Sequence, residues 1–356
     1  MSRKTTYLVS FASFLAVASA PIANATPVQV EAPHLTAPSF TGPLASRTTL
    51  IAAPPRHLSK VSWWGGTYAV PDGEQVSIHI SAGYPEADAL AREWADFFGG
   101  IPHGKELSLA QVYIAPLAEV EELCSSEDVL GCYGGQTLVT VGDSTAGVQP
   151  ASIAAHEYGH HVAANRVNTP WLALDWGTKR WATQAGICSR VGARTAFPGD
   201  EGLNYSLNPG EAFAEAYRVL VETHGTALGY DWPIVDPSFR PDAPALAAVQ
   251  DDVLHPWSAS TTKTIRGQFL HRHRTWTMTV ATPLDGDLRI RVAVPGGGGD
   301  DVTLLSTDGR TVLARSSWDG SGGKAAGYRV CGARSVRVRV TRGPGLARFS
   351  LRVVAP

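Results

Sequence analysis

The sequence of 356 residues has no excess of either charge: 30 Lys and Arg stand against 32 Asp and Glu, a formal net charge of -2. Such a balance offers no chain-wide attraction to nucleic acid or to an acidic membrane, so no nucleic-acid partner is expected and any electrostatic partner must be met locally. Long apolar runs are also missing. The stretch from Tyr7 to Ala20 falls short of the roughly 20 residues that a spanning helix needs, and no later stretch is long enough. A transmembrane segment is therefore not expected. Cysteine is scarce, and the four residues Cys124, Cys132, Cys188 and Cys331 allow only three connectivities. What remains is an ordinary globular composition, 44% apolar and 17% charged. The length exceeds one ordinary core, which predicts two folded units with unstructured ends.

The first residues follow the three-part plan of a secretory signal peptide: Arg3 and Lys4, the apolar run, then small residues ending in Ala23-Asn24-Ala25. Cleavage after Ala20 would leave Pro21 just past the cut. Cleavage after Ala25 is favoured, giving a signal peptide over 1-25 and a secreted, extracellular mature chain. Export makes disulfides the natural state of the cysteines. Cys124 and Cys132 flank a short Ser- and Gly-containing loop and are expected to pair locally, leaving Cys188 for Cys331. Residues 26-60 are rich in Pro, Ala and Thr without sustained periodicity and read as a linker or propeptide-like extension.

From Thr67 the pattern sharpens. Val76, Ile78 and Ile80 alternate as in a strand, Pro85 to Phe98 reads as a helix, and Gln111 to Ala115 and Thr137 to Val141 read as further strands. Pro150 opens a helix to about Ala164, another is expected over Trp171 to Val191 with Gly177 and Gly186 as weak points, and Asn208-Pro209 opens a third. Ala245 to Leu254 suggests a last short helix. After Pro256 short alternating runs take over, such as Leu288, Ile290, Val292 and Val294, and Val336, Val338 and Val340. About seven strands can be counted, with Asp308-Gly309 as a hairpin turn. The expectation is an α+β unit over 61-256 followed by an all-β sandwich over 257-356.

His156-Glu157-Tyr158-Gly159-His160 carries the chemistry. Residues four apart on a helix differ by about 40° around the axis, so both imidazoles reach one metal ion from the same face. Two imidazoles make an incomplete zinc site. A catalytic zinc keeps three protein ligands and one position for water, and Glu157 lies beside that face as a general base. Surface histidines do not explain the pattern, because Ile153, Ala154, Ala155, Val162 and Ala163 make this helix mostly apolar, and buried imidazoles need partners. Glu211 and Glu215 follow on a second helix, again four apart. Glu211 is expected as the third ligand and Glu215 as the acceptor for the other N–H of a ligating histidine. His161, about 100° from His160, is expected to pack instead of ligate. Trp171, Trp176 and Trp181 are read as core or pocket lining.

These residues resemble the gluzincin class of zinc peptidases, in which a helix bearing His-Glu-x-x-His is followed by a Glu ligand on another helix. The resemblance rests on His156 to His160 and on Glu211 to Arg218. It is nearest to secreted actinobacterial-type peptidases and more distantly to the catalytic domain of anthrax lethal factor. It implies a zincin-like fold over roughly 61 to 255, a Zn2+ cofactor, and hydrolysis of a protein or peptide substrate with Glu157 as base. Glu211 comes much later after His160 than its counterpart does in thermolysin-like enzymes, so the subsites of those enzymes do not transfer. Tyr205 is a candidate donor to the tetrahedral oxyanion, or a structural loop residue.

The β-rich segment resembles small domains appended to secreted bacterial peptidases and has no catalytic constellation. Arg289, Arg291, Arg337, Arg339, Arg348 and Arg352 fall on the outward parity of their strands. They offer a basic face for an anionic surface polymer, or a solvated exterior that resists aggregation. Gly296 to Asp301 is a weak calcium-loop pattern. Two rival functions stand beside the peptidase: a zinc-dependent amidase acting on a cell-wall polymer, and a secreted binding protein with an inactive metal site. Glu157 argues against the last, since a purely structural zinc has no use for a base.

Overall fold

The computed structural model describes the backbone of 48–50 and residues 55, 58–127, 129–145, 147–270, 273–294, 299–318, 323–343 and 347–356. The expected signal peptide, most of the 26-60 extension and 296–298 of the calcium-loop pattern lie outside the described residues.

The mixed part of the chain begins with β1 (Thr48–Leu50), β2 (Trp63–Ala69), β3 (Gln75–Ser81), α1 (Asp88–Gly100), β4 (Gln111–Ala115), α2 (Leu117–Cys124), β5 (Gly131–Gly134) and β6 (Thr137–Val141). The six strands form one sheet in the order β1-β5-β6-β4-β3-β2. Its centre, β6-β4-β3, is parallel, while β5 runs antiparallel to β6 and β1 lies parallel to β5. Within the 26-60 extension, Thr48–Leu50 forms the strand β1. Three residues carry too short a pattern to be recognised, and it is pairing with β5 that makes them a strand.

Next come α3 (Pro150–Ala164), a short hairpin of β7 (Val167–Asn168) and β8 (Trp171–Leu172), then α4 (Ala173–Trp176), α5 (Lys179–Gln184), α6 (Ile187–Gly192), α7 (Pro209–Thr223) and α8 (Ala243–Leu254). Proline at the first position starts α3 and α7, where its missing N–H costs nothing. Asn208 caps α7 by accepting from the Gly210 amide at 3.0 Å. In α3 every residue from Ser152 to Ala163 is buried, so this helix runs through the core with no solvent face. The single helix expected from Trp171 to Val191 is instead a hairpin strand and three short helices. Gly177 (φ 76°) and Gly186 (φ 68°) adopt left-handed backbone at the breaks, which ends each helix.

The β-rich part contains β9 (Thr261–Gln268), β10 (Thr275–Thr282), β11 (Gly286–Ala293), β12 (Asp301–Leu305), β13 (Val312–Arg315), β14 (Ser317–Trp318), β15 (Lys324–Val330), β16 (Arg334–Thr341) and β17 (Arg348–Ala355). They form two antiparallel sheets, β10-β16-β12-β13 and β14-β15-β11-β17-β9. Leu288, Ile290, Leu304, Val338 and Leu351, from both sheets, share one buried core. The single basic face needs correction. Arg337 and Arg339 lie on β16, whereas Arg289, Arg291, Arg348 and Arg352 lie on β11 and β17 in the other sheet. Only Arg291 and Arg352 are direct cross-strand partners.

A disulfide between Cys188 and Cys331 joins the helical and β-rich parts, and a second joins Cys124 to Cys132. The buried Lys179 donates to the Thr169 carbonyl at 2.7 Å and lies 4.5 Å from the ring centre of Trp257. Trp171 and Trp176 stack at 4.5 Å, and Trp181 is buried in the core.

Candidate metal centre

Two helices build the site. Their crossing is close because α3 carries Gly159 where it meets α7: a Cβ there would lie 2.7 Å from Ala214 Cα and 3.0 Å from Ala214 O. The missing side chain lets α7 bring Glu211 and Glu215 against the imidazoles of α3. His156, Glu157, His160, Glu211 and Glu215 are all 0% exposed.

Glu211 bridges the two imidazoles. Its Oε2 lies 3.2 Å from His156 Nε2, and its Oε1 lies 3.3 Å from His160 Nε2 without hydrogen-bond alignment. Ligand atoms of His156, His160 and Glu211 all fall within 4.8 Å of one another. A tetrahedral zinc with bonds of 2.0–2.2 Å has ligand–ligand edges of about 3.3–3.6 Å. The two measured separations are close to that, so the three side chains fit a small divalent cation.

Glu215 serves the other side of His156. Nδ1–H donates to Glu215 Oε2 at 3.1 Å, while Arg218 grips the same carboxylate with two bonds, Nε to Oε2 at 2.9 Å and Nη2 to Oε1 at 2.7 Å. Burial opposes ionisation of Glu215, but the Arg218 charge and the His156 bond outweigh it and hold the group at about 2. For His156 burial again opposes the charge, and the bonds to Glu211 and Glu215 push it up to about 10. Arg218 also pairs with Glu222 and donates to the Asp231 carbonyl at 2.7 Å. The His-Glu-x-x-His pattern assigns Arg218 no role. The available signal was its place three residues after Glu215, on the same helical face.

Glu157 differs from the other acids. Neither of its oxygens has a hydrogen-bond partner among the described residues. Burial holds it well above the usual carboxylate range; His156 only partly offsets this, and Glu211 adds repulsion. Its Oε1 faces β5, where a Cβ on Gly131 would come within 3.1 Å. Farther along β5 the ring of Tyr133 lies 6.3 Å from that of His160, nearly parallel to it. Neither β5 residue carries a motif that could have revealed it from sequence.

The charges give a second measure of fit. Glu211 and Glu215, held ionised, and Glu157 once it ionises as a base must, are three fully buried carboxylates against one buried guanidinium, Arg218, itself shared with Glu222. Charges in a low-dielectric interior must be balanced, and a divalent cation balances these with both histidines neutral. Tyr205, just before α7, donates to Glu211 Oε2 at 2.7 Å. His161 turns away from the group, its Nε2 2.7 Å from the Glu106 carbonyl and its Nδ1 3.4 Å from Tyr133 Oη. Glu106 in turn pairs with Arg166 at 2.9 Å.

No family model matches this chain, and no curated protein matches it. Among solved structures it is similar to the pre-peptidase C-terminal domain of a collagenase from Bacillus anthracis. The identity is 18% and the TM-score 0.23, covering 26% of this chain and 88% of that one. A likeness at that score carries no functional inference.

Proposed function

We propose that the chain is an exported zinc-dependent peptidase of the gluzincin type. The observation that carries this reading is a buried base without a partner, Glu157, beside a three-residue donor group for a metal. A site that only held a metal for structure would gain nothing from a carboxylate left unsatisfied at such cost. Export is supported by the two disulfides. No helix among the described residues is long and apolar enough to cross a membrane.

His156, His160 and Glu211 would hold the ion. Zinc bound there would lower the pKa of a water and polarise a substrate carbonyl. Glu157 then takes the proton of the attacking water and delivers it to the departing amine. Glu215, fixed by Arg218, accepts from His156 Nδ1 and so presents Nε2 toward the donor group. Tyr205 steadies Glu211 at rest, and we assign its hydroxyl to the negative oxygen of the tetrahedral intermediate. The test is metal content of the purified chain, followed by hydrolysis of an unstructured protein with chelator and with zinc restored. A chain that takes up no zinc, or that hydrolyses no peptide bond in any form, removes the proposal; release of amide groups from a cell-wall polymer alone would favour the amidase.

A further inference from the structure

A hydrolase site must admit a carbonyl, yet every acid and imidazole of this one is 0% exposed. What lies over it is informative. Gly131 and Tyr133 of β5 border Glu157 and His160, and the outer edge of β5 is the natural track for an extended peptide, since an edge strand offers unpaired N–H and C=O groups. That edge is taken. β1 pairs along it in parallel, Thr48 with Gly131, Thr49 with Cys132 and Leu50 with Tyr133, and the β1 backbone also runs close to that of α3, the helix that carries both histidines and the base. β5 is itself anchored by the Cys124–Cys132 disulfide, so the strand able to leave is β1.

We propose that Thr48–Leu50 is an autoinhibitory strand, lying on the β5 edge where a substrate strand would pair and keeping the exported chain latent until it is displaced. The inference rests on the peptidase reading for what it blocks, though not for the covering itself. A parallel strand presents its carbonyls in a different register from an antiparallel one. The segment can therefore fill the track without offering a bond for cleavage.

The experiment uses the exported full-length chain, zinc-loaded, with Thr48→Pro/Thr49→Pro. Proline removes the N–H from either residue, so whichever faces β5 is lost. Three rates are compared with the parent: hydrogen exchange at the amide of Tyr133, extraction of zinc by a coloured chelator, and hydrolysis of an unstructured protein. Each should rise about tenfold or more, the shift expected when an edge strand loses its ladder, with the unfolding midpoint of the body unchanged. Thr49→Gly, which keeps the N–H but weakens the strand, should move all three in the same direction by less. A synthetic peptide of residues 44–54 added to the proline variant should slow them again. Unchanged exchange and extraction in both variants would overturn the inference, as would a parent chain that hydrolyses as fast as the opened one. Faster exchange and extraction with no hydrolysis in either chain would sustain the covering strand and remove the peptidase reading.

Discussion

Replacing Gly159 with alanine puts one methyl group at the crossing that sets the metal centre. The new Cβ would sit 2.7 Å from Ala214 Cα, 3.0 Å from Ala214 O and 3.1 Å from Tyr217 Cβ, whereas carbon atoms pack best at about 3.5–4.0 Å. The two nearest atoms are backbone, so no side-chain rotation relieves the clash, and α3 and α7 must part by about 0.8 Å. Alanine gains roughly 1 kcal/mol in helix propensity. Overpacking against an unyielding partner costs about 1–3 kcal/mol, and the backbone contact puts it at the upper end. The net loss is about 1–2 kcal/mol, a drop in Tm of a few degrees. Metal affinity should suffer more. His156 and His160 ride on α3 and Glu211 on α7, and a separation of about 0.8 Å exceeds the roughly 0.2 Å tolerance of a zinc site. Zinc binding, titrated against a competing chelator, should weaken by about 10–100-fold or more. Gly192→Ala is the control: a Cβ there meets nothing within 4 Å, so stability should hold or rise by up to about 1 kcal/mol. Unchanged zinc affinity and unfolding midpoint in Gly159→Ala would refute the claim that this crossing positions the ligands.

Glu157→Gln, in the chain opened by Thr48→Pro/Thr49→Pro, should keep zinc and lose hydrolysis by about 10²–10⁴-fold; retained turnover would show that another group is the base. Glu211→Ala should bind zinc too weakly to survive dialysis, whereas Glu215→Ala should lose about 10–100-fold in affinity and up to about 3 kcal/mol of stability, because the buried Arg218 keeps only the part-exposed Glu222 as counter-charge. Denaturant curves separate the two. In metal-stripped protein, Glu215 at about 2 in the fold against an unfolded value of about 4.3 binds fewer protons folded than unfolded. Its contribution is complete above the unfolded value and lost as pH falls from about 4.3 toward 2, and the Glu215→Gln curve should lack that acid-side slope. Peptide mapping without reductant should recover Cys124 with Cys132 and Cys188 with Cys331, and Cys188→Ser/Cys331→Ser should cost about 2–5 kcal/mol; recovery of Cys124 with a distant cysteine would contradict the junction described above.

Local physics was legible in the sequence. The i, i+4 spacing of His156 and His160 fixes two imidazoles on one helical face whatever surrounds them. Pro150 and Asn208-Pro209 mark helix starts because ring geometry and capping act within a turn. Alternation marks β11, β16 and β17 because each strand has one buried side. Gly177 and Gly186 were recognisable as weak points, but only their left-handed backbone turns an expected helix into pieces. Nothing local could announce β1, whose three residues become a strand through pairing with β5. Nor could parity along single strands say that Arg337 and Arg339 belong to a different sheet from Arg291 and Arg352. The same holds at the centre of the molecule. Glu211 and Glu215 are four apart on one helix and chemically alike, and only the approach of α7 to α3 over Gly159 gives the first to two imidazoles and the second to His156 Nδ1 and Arg218. Sequence sets what each element can present; which groups meet depends on distances between elements, and those exist only once the chain has packed.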